Sequence, residues 1–156
     1  MKRPLRRELV FQLVETSRLL RTHVEQRARQ HGTTRAQWGV MSRLRRQEGL
    51  KQAALAEQMD LQPISLARLL DRLQSQNLIE RREDPSDRRA YRLFLTPEGR
   101  ALVDDLDAVR TEIAQDVLGE TDEEAILSAL GTLAAIREQI RARSDDKAPA
   151  SAGNAA

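Results

Sequence analysis

Two sets of arginines are spaced so that they could bind anions. Along Pro63–Gln76, Ser65, Arg68, Arg72 and Ser75 fall on one side of a helix that turns about 100° per residue. Asp71 lies beside them, and Leu66, Leu70 and Leu73 fall opposite. The second set, Arg88 and Arg89, stands between acids in the stretch EDPSDRRAYRLFLTPEGR, Glu83 to Arg100. Guanidinium is a planar fork of donors that matches phosphate oxygens and the edge of guanine. A solvated amphipathic face, and a turn whose arginines pair with Asp84 and Asp87, would produce the same two patterns. The elements that carry the arginines decide between these readings.

From Ala90 to Thr96, Tyr91, Leu93 and Leu95 alternate with Ala90, Arg92 and Phe94, which is the period of a half-buried strand. NLIERRE, Asn77 to Glu83, supplies a partner strand, and DPSD between them is rich in turn formers. Thr96 is placed to cap a helix that Pro97 opens. Upstream, QAALAEQM (Gln52 to Met59) is a short helix with Ala53, Leu55, Ala56 and Met59 inward. DLQP turns the chain, and Pro63 opens the helix that carries Arg68. Two short helices, a tight turn and a charged hairpin form a winged helix-turn-helix. In that unit the second helix presents its outer face to the major groove, and the hairpin tip meets phosphate or the flanking minor groove.

Long helices flank this unit. The first spans about Glu8–Gln30, with Leu9, Leu13, Thr16, Leu20 and Val24 at steps of three and four; His31 and Gly32 end it. TRAQ, Thr34 to Gln37, has capping-box form and starts a helix with Trp38, Met41 and Leu44 on its apolar side. After Pro97 a stripe runs through Leu102, Leu106, Val109, Ile113 and Val117 to Gly119. TDEE, Thr121 to Glu124, reads as a second capping box before Ile126, Leu130, Leu133 and Ile140. These stripes exceed what one small domain covers, so a second copy of the chain is expected to cover them. The expected fold is mainly α with a small β-hairpin wing, in one domain over residues 1–143. Residues 34–96 form its winged helix-turn-helix, and residues 8–31 and 97–143 form its dimerisation helices. Residues 144–156 are small and polar and read as disordered.

Composition removes several function classes. The chain has no cysteine, so thiolate metal sites and disulfides are excluded. His23 and His31 adjoin no acidic cluster, so neither a metal nor another cofactor is expected. No apolar run approaches membrane-spanning length and no signal-peptide core is present, so a cytoplasmic protein away from membranes is expected. No nucleophile–base constellation and no glycine-rich phosphate loop occurs, which argues against an enzyme. Ser17 and His23 are six apart on one helix, roughly 240° around it, and face different ways. Residues 1–96 carry a net charge of +9 and residues 97–156 carry −7, which separates an anion-binding half from the rest. Arginine supplies 23 of the 26 basic residues; its planar fork suits phosphates and guanine edges, and a GC-rich coding bias produces the same preference.

With these residues in place, the chain resembles the MarR family of transcription regulators, and its SlyA-like members in particular. TRAQWGVMSRL, LAEQMDLQPISLARLLDRLQSQNLIER and DPSDRRAYRLFLTPEG match the family pattern in order and spacing over about residues 8–143. The resemblance implies a homodimer whose first and last helices interlock. It also implies sequence-specific binding of double-stranded DNA, and release by small, often aromatic, anionic ligands. By matching position it puts Gln62, Pro63, Ile64, Ser65, Ala67, Arg68 and Arg72 on the recognition helix. It puts Arg88 and Arg89 at the wing tip, and Asp84 where an acid–base pair braces the wing. Ser86 stands where many members carry an arginine, Asn77 where glycine is usual, and Ala67 where many have Ser or Thr.

The expected function is a ligand-responsive repressor that binds a pseudo-palindromic operator. An activator or anti-silencer with the same reader, and an adaptor that binds protein rather than DNA, are the alternatives. A ligand pocket is expected where the dimer arms meet the DNA-binding part. Its floor would be Trp38 and Met41, with Arg18 and His23, and then Arg27 and Arg35, nearby to hold a carboxylate.

Overall fold

The computed structural model describes residues 4–145. Nine elements follow in order: α1 Leu5–Gln30, α2 Arg35–Arg46, β1 Leu50–Lys51, α3 Gln52–Gln58, α4 Pro63–Ser75, β2 Ile79–Asp84, β3 Asp87–Leu95, α5 Pro97–Leu118 and α6 Glu123–Asp145. The chain divides into two compact units, Met1–Ala114 and Gln115–Ala156.

Local chemistry sets the boundaries in the first unit. Gly32, at φ +73°, follows the end of α1 in the left-handed region that costs glycine nothing. Thr34 and Gln37 close a reciprocal capping box at α2: the Gln37 amide donates to Thr34 Oγ1, and the Thr34 amide donates to Gln37 Oε1. Pro63 opens α4 at a position whose N–H has no helical partner. Asn77, at φ +56°, turns the chain from α4 into β2; asparagine tolerates this backbone where other side chains strain. Thr96 caps α5 by accepting from the Gly99 amide at 3.0 Å, while its own hydroxyl donates to the Asn77 carbonyl at 2.7 Å. One side chain therefore ties the wing's entry to its exit.

The sheet has three strands in the order β1-β3-β2, all antiparallel. β1, with Leu50 opposite Leu93, is not foreseen by the sequence pattern, because two residues are too few to show a period. The core gathers Trp38, Val40, Met41 and Leu44 of α2, Leu55 and Ala56 of α3, and Leu66, Leu70 and Leu73 of α4. Leu50, Ile79, Leu93 and Leu95 of the sheet join them, with Val103, Leu106, Val109 and Ile113 of α5. Ala53 is exposed rather than inward, since the seven-residue α3 buries only Leu55 and Ala56. Tyr91 is exposed although Leu93 and Leu95 on the same strand face are buried, because the wing runs past the core.

α1 begins at Leu5, earlier than expected. Of its apolar stripe only Leu13 and Val24 are half-buried, and Leu9, Val10, Phe11, Val14, Leu19 and Leu20 are exposed. In the second unit, Asp122 rather than Thr121 caps α6, its carboxylate accepting from the Glu124 amide at 3.2 Å. Leu127, Leu130 and Ile140 of α6 are exposed. That helix includes Ser144 and Asp145, which composition alone places in the disordered tail; residues 146–156 of that tail lie outside the described residues.

Candidate nucleic-acid interface

α4 separates its faces as its periodicity requires. Leu66, Leu70 and Leu73 are fully buried, while Gln62, Pro63, Ile64, Ser65, Arg68 and Arg72 are exposed. Ile64 shows 65% of its surface to solvent at the start of the helix, an unusual cost for an isoleucine that has nothing to meet. Ala67 is half-buried, and its carbonyl accepts from Arg81 Nη2 at 3.3 Å. The same nitrogen donates to Asp71 at 2.8 Å. Asp71 is thus held by β2, and Arg81 fixes the angle between α4 and the wing. Sequence gives no signal for this role, because an arginine on a strand does not show which helix it reaches. Ser75 donates its hydroxyl to the Arg72 carbonyl at 2.7 Å, so that hydroxyl's proton is already used.

The wing turns at Pro85 and Ser86, within DPSD, but its strand register is irregular. β2 and β3 pair as Ile79–Leu95, Glu80–Phe94, Arg81–Leu93, Arg82–Arg92 and Glu83–Tyr91, after which Asp84 pairs directly with Asp87. This register shift leaves Arg88, Arg89 and Ala90 without partners on β2. A bulge of this kind re-aims side chains away from the ladder. Arg88 and Arg89 are exposed, and neither forms an ion pair among the described residues. The alternative of a turn whose arginines pair with Asp84 and Asp87 is therefore not what the wing forms. Asp87 accepts from the Arg89 backbone amide at 3.0 Å, and Asp84 is engaged elsewhere.

Asp84 is the brace, and it is buried. Its Oδ1 accepts from the Ser86 hydroxyl at 2.6 Å and the Ser86 amide at 2.8 Å. Its Oδ2 accepts from Arg92 Nε at 2.8 Å and lies 3.5 Å from Lys51 Nζ. These bonds, the Ser86 hydroxyl first and the Ser86 amide next, hold the carboxyl far below its usual range against the opposing effect of burial. Ser86 thus contributes a short hydroxyl bond from within the turn. Lys51 brings β1 into the same cluster, and Arg82 lies 4.0 Å over the Phe94 ring at the wing's base.

Two cavities widen the interface. One of about 390 Å³ is shared by Pro63 and Leu66 of α4, Lys51 and Gln52 before and in α3, and Arg89 and Tyr91 of the wing. Another, of about 470 Å³, brings Arg72 and Ser75 together with Arg29, Thr33 and Thr34. Lys51 and Arg29 carry no signal in sequence, since each sits alone in its own element.

The expected ligand pocket is not open. Trp38 and Met41 are core residues rather than a floor, and Arg18 is exposed and paired with Glu15 at 3.1 Å. His23 is half-buried. Arg27 is paired with Glu112, and the Arg35 amide donates to Glu25 at 2.9 Å. That bond, more than any other effect, holds the Glu25 carboxyl below its ordinary value. His23 Nε2 and Trp38 Nε1 are buried without a hydrogen-bond partner. Among the described residues, no cluster of three His, Asp or Glu could hold a metal, and no helix is long and apolar enough to cross a membrane.

This arrangement, a helix-turn-helix with a braced basic wing, is that of a winged-helix transcription regulator. Comparison with known proteins agrees. The MarR family model matches residues 33–91. The chain is 33% identical over 123 residues to the HTH-type transcriptional repressor MdtR of Bacillus subtilis (strain 168), covering 79% of this chain and 78% of that one. A MarR-family regulator from Rhodococcus sp. RHA1 superposes with a TM-score of 0.76 at 25% identity, over 86% of this chain and 96% of that one. The MepR–DNA complex of S. aureus shares the fold, with a TM-score of 0.73 at 23% identity over 85% and 96% of the two chains. The chain belongs to the MarR family. It is a DNA-binding transcription regulator and not an enzyme.

Proposed function

We propose that this regulator is a homodimeric, ligand-responsive repressor that reads a pseudo-palindromic operator. The observation that carries the reading is the pairing of two basic sets with no acid partners among the described residues: Arg68 and Arg72 on the open face of α4, and Arg88 and Arg89 on the bulge of β3. Gln62, Pro63, Ile64, Ser65, Ala67, Arg68 and Arg72 enter the major groove, with Ala67 contributing only its partly open methyl group. Arg88 and Arg89 reach phosphate or the adjacent minor groove. Residues 34–96 bind DNA, and residues 8–31 and 97–143 carry the dimer contacts. The exposed apolar residues of α1 and of α6 support a partner of the same kind. The Bacillus subtilis relative is a repressor by name, and the MepR structure holds DNA; both support the reading.

Footprinting of the purified protein on genomic DNA tests it. Inverted-repeat sites upstream of genes whose reporters rise on deletion of the regulator are the expected result. Sites without a repeat would contradict the reading, and reporters that fall would make the protein an activator. Response to a ligand rests on the buried, unpartnered His23 Nε2 and Trp38 Nε1, which a small acid could satisfy once the α1–α2 junction opens. Salicylate at fixed ionic strength is expected to change Trp38 emission saturably and to lower DNA affinity by a linked amount. No change in either across a panel of aromatic acids removes the ligand from the account.

A further inference from the structure

We propose that the cavity between α2, the end of α3 and α5 binds a compact multivalent anion, of the pyrophosphate or tricarboxylate class. It holds about 500 Å³, within the range of small-ligand sites. Gly39, Ser42, Arg43 and Arg46 line it from α2, Gln58 from α3 and Arg110 from α5. The four α2 positions follow the i, i+3, i+4, i+7 rule, so they form one stripe, and Trp38, Met41 and Leu44 turn into the core. Three guanidinium groups therefore meet at one concavity, and no carboxylate lines it.

The bland account is that arginines in the last turn of α2 complement the helix dipole. It leaves the cavity unexplained. Arg45, on the neighbouring face, is paired with Asp104 at 3.3 Å, whereas Arg43 and Arg46 have no acid partner among the described residues. Arg110 is set in place from three sides. Its Nη2 donates to Ser42 Oγ at 3.1 Å, its Nη1 lies 3.4 Å from Asp107, and its guanidinium lies 5.4 Å over the Trp38 ring. The two unpaired forks of Arg43 and Arg46 repel one another until an anion joins them, and the anchored fork of Arg110, already beside Asp107, adds further donors. Each fork offers paired donors to a phosphoryl or carboxylate group. Ser42 and Gln58 add polar lining. A flat aromatic acid has one charge for two unpaired cations and gains less here, so this site differs from the Trp38 junction. The proposal goes beyond the operator reading.

Calorimetric titration of the full chain with sodium pyrophosphate tests it, with EDTA present and chloride matching the ionic strength. One saturable site per chain is expected. Arg43→Gln and Arg46→Gln are each expected to weaken it roughly tenfold or more, since a charge-assisted hydrogen bond is removed. Arg45→Gln, a charge change of the same size on the paired face, is expected to leave it within about twofold. Thermal melts check that all three variants fold. Absence of saturable heat at millimolar pyrophosphate overturns the proposal. So does equal weakening by Arg45→Gln, which would make the effect one of general surface charge. A reduced salt slope of DNA binding in Arg43→Gln or Arg46→Gln also overturns it, because the cavity would then belong to the surface that meets the DNA backbone.

Discussion

Arg92 and Asp84 lie eight residues apart on the two strands of the wing, and Arg92 Nε donates to the buried Asp84 carboxylate at 2.8 Å. With Ser86 and Lys51 on the same carboxylate, this bond joins the wing's turn, β3 and β1 into one unit. The wing needs such a unit because it runs past the core and has no apolar packing of its own at the tip.

Asp84→Asn is therefore expected to lower stability and to weaken DNA binding through a loosened wing. The pH dependence has a definite sign. A carboxylate whose folded pKa is depressed contributes stability that is whole above its unfolded value and is lost as pH falls through the folded one. The ordinary value is 3.8, so the stability gap between wild type and Asp84→Asn should be constant above about pH 5 and should narrow below 3.8. Urea melts across that range check it. A gap that widens on acidification would remove the brace.

Arg68 and Arg88 should behave differently. Arg68→Ala is expected to cost roughly 1–3 kcal/mol in operator binding and to relax the preference at one base pair per half-site. Arg88→Ala is expected to weaken all sequences evenly and to lower the log–log salt slope by about one for each phosphate it no longer neutralises. Competition binding at several salt concentrations separates them. An Arg88→Ala protein with unchanged affinity and slope would make the wing tip a solvated turn.

The helices, the caps at Thr34 and Thr96 and the buried Leu66–Leu70–Leu73 stripe are legible in sequence, because each depends on neighbours within about one turn of chain. β1 is not, since a two-residue strand exists only through its pairing with Leu93 and Arg92. The bulge that frees Arg88 and Arg89 is not legible either, as it arises from a register between strands. Arg81 and Lys51 escape sequence reading for the same reason: their partners, Asp71 and Asp84, belong to other elements. Trp38 and Met41 show the converse. Apolar residues near basic ones in sequence read as a pocket, and the fold uses them as core.

Gly99 tests the packing behind the wing. A Cβ at this position would overlap the Leu78 carbonyl oxygen, which is backbone and cannot turn aside. Gly99→Ala is expected to destabilise by roughly 1–3 kcal/mol in urea melts, through forced movement of the first turn of α5. An unchanged midpoint would mean that α5 does not sit against the wing's entry as described.

The exposed apolar residues of α6 predict assembly. Wild-type protein is expected at twice 17.7 kDa in light scattering at micromolar concentration. Leu130→Glu is expected to shift it toward the monomer with helix content retained. A monomeric wild type would remove the dimer.

The most direct measurement of the central claim is binding to a footprinted operator before and after about five base pairs are inserted at its centre. Two recognition helices fixed about one helical turn apart then face half-sites on opposite sides of the duplex. The account predicts that tight binding is lost and that only weak, salt-sensitive binding remains. Undiminished affinity for the lengthened site would contradict it.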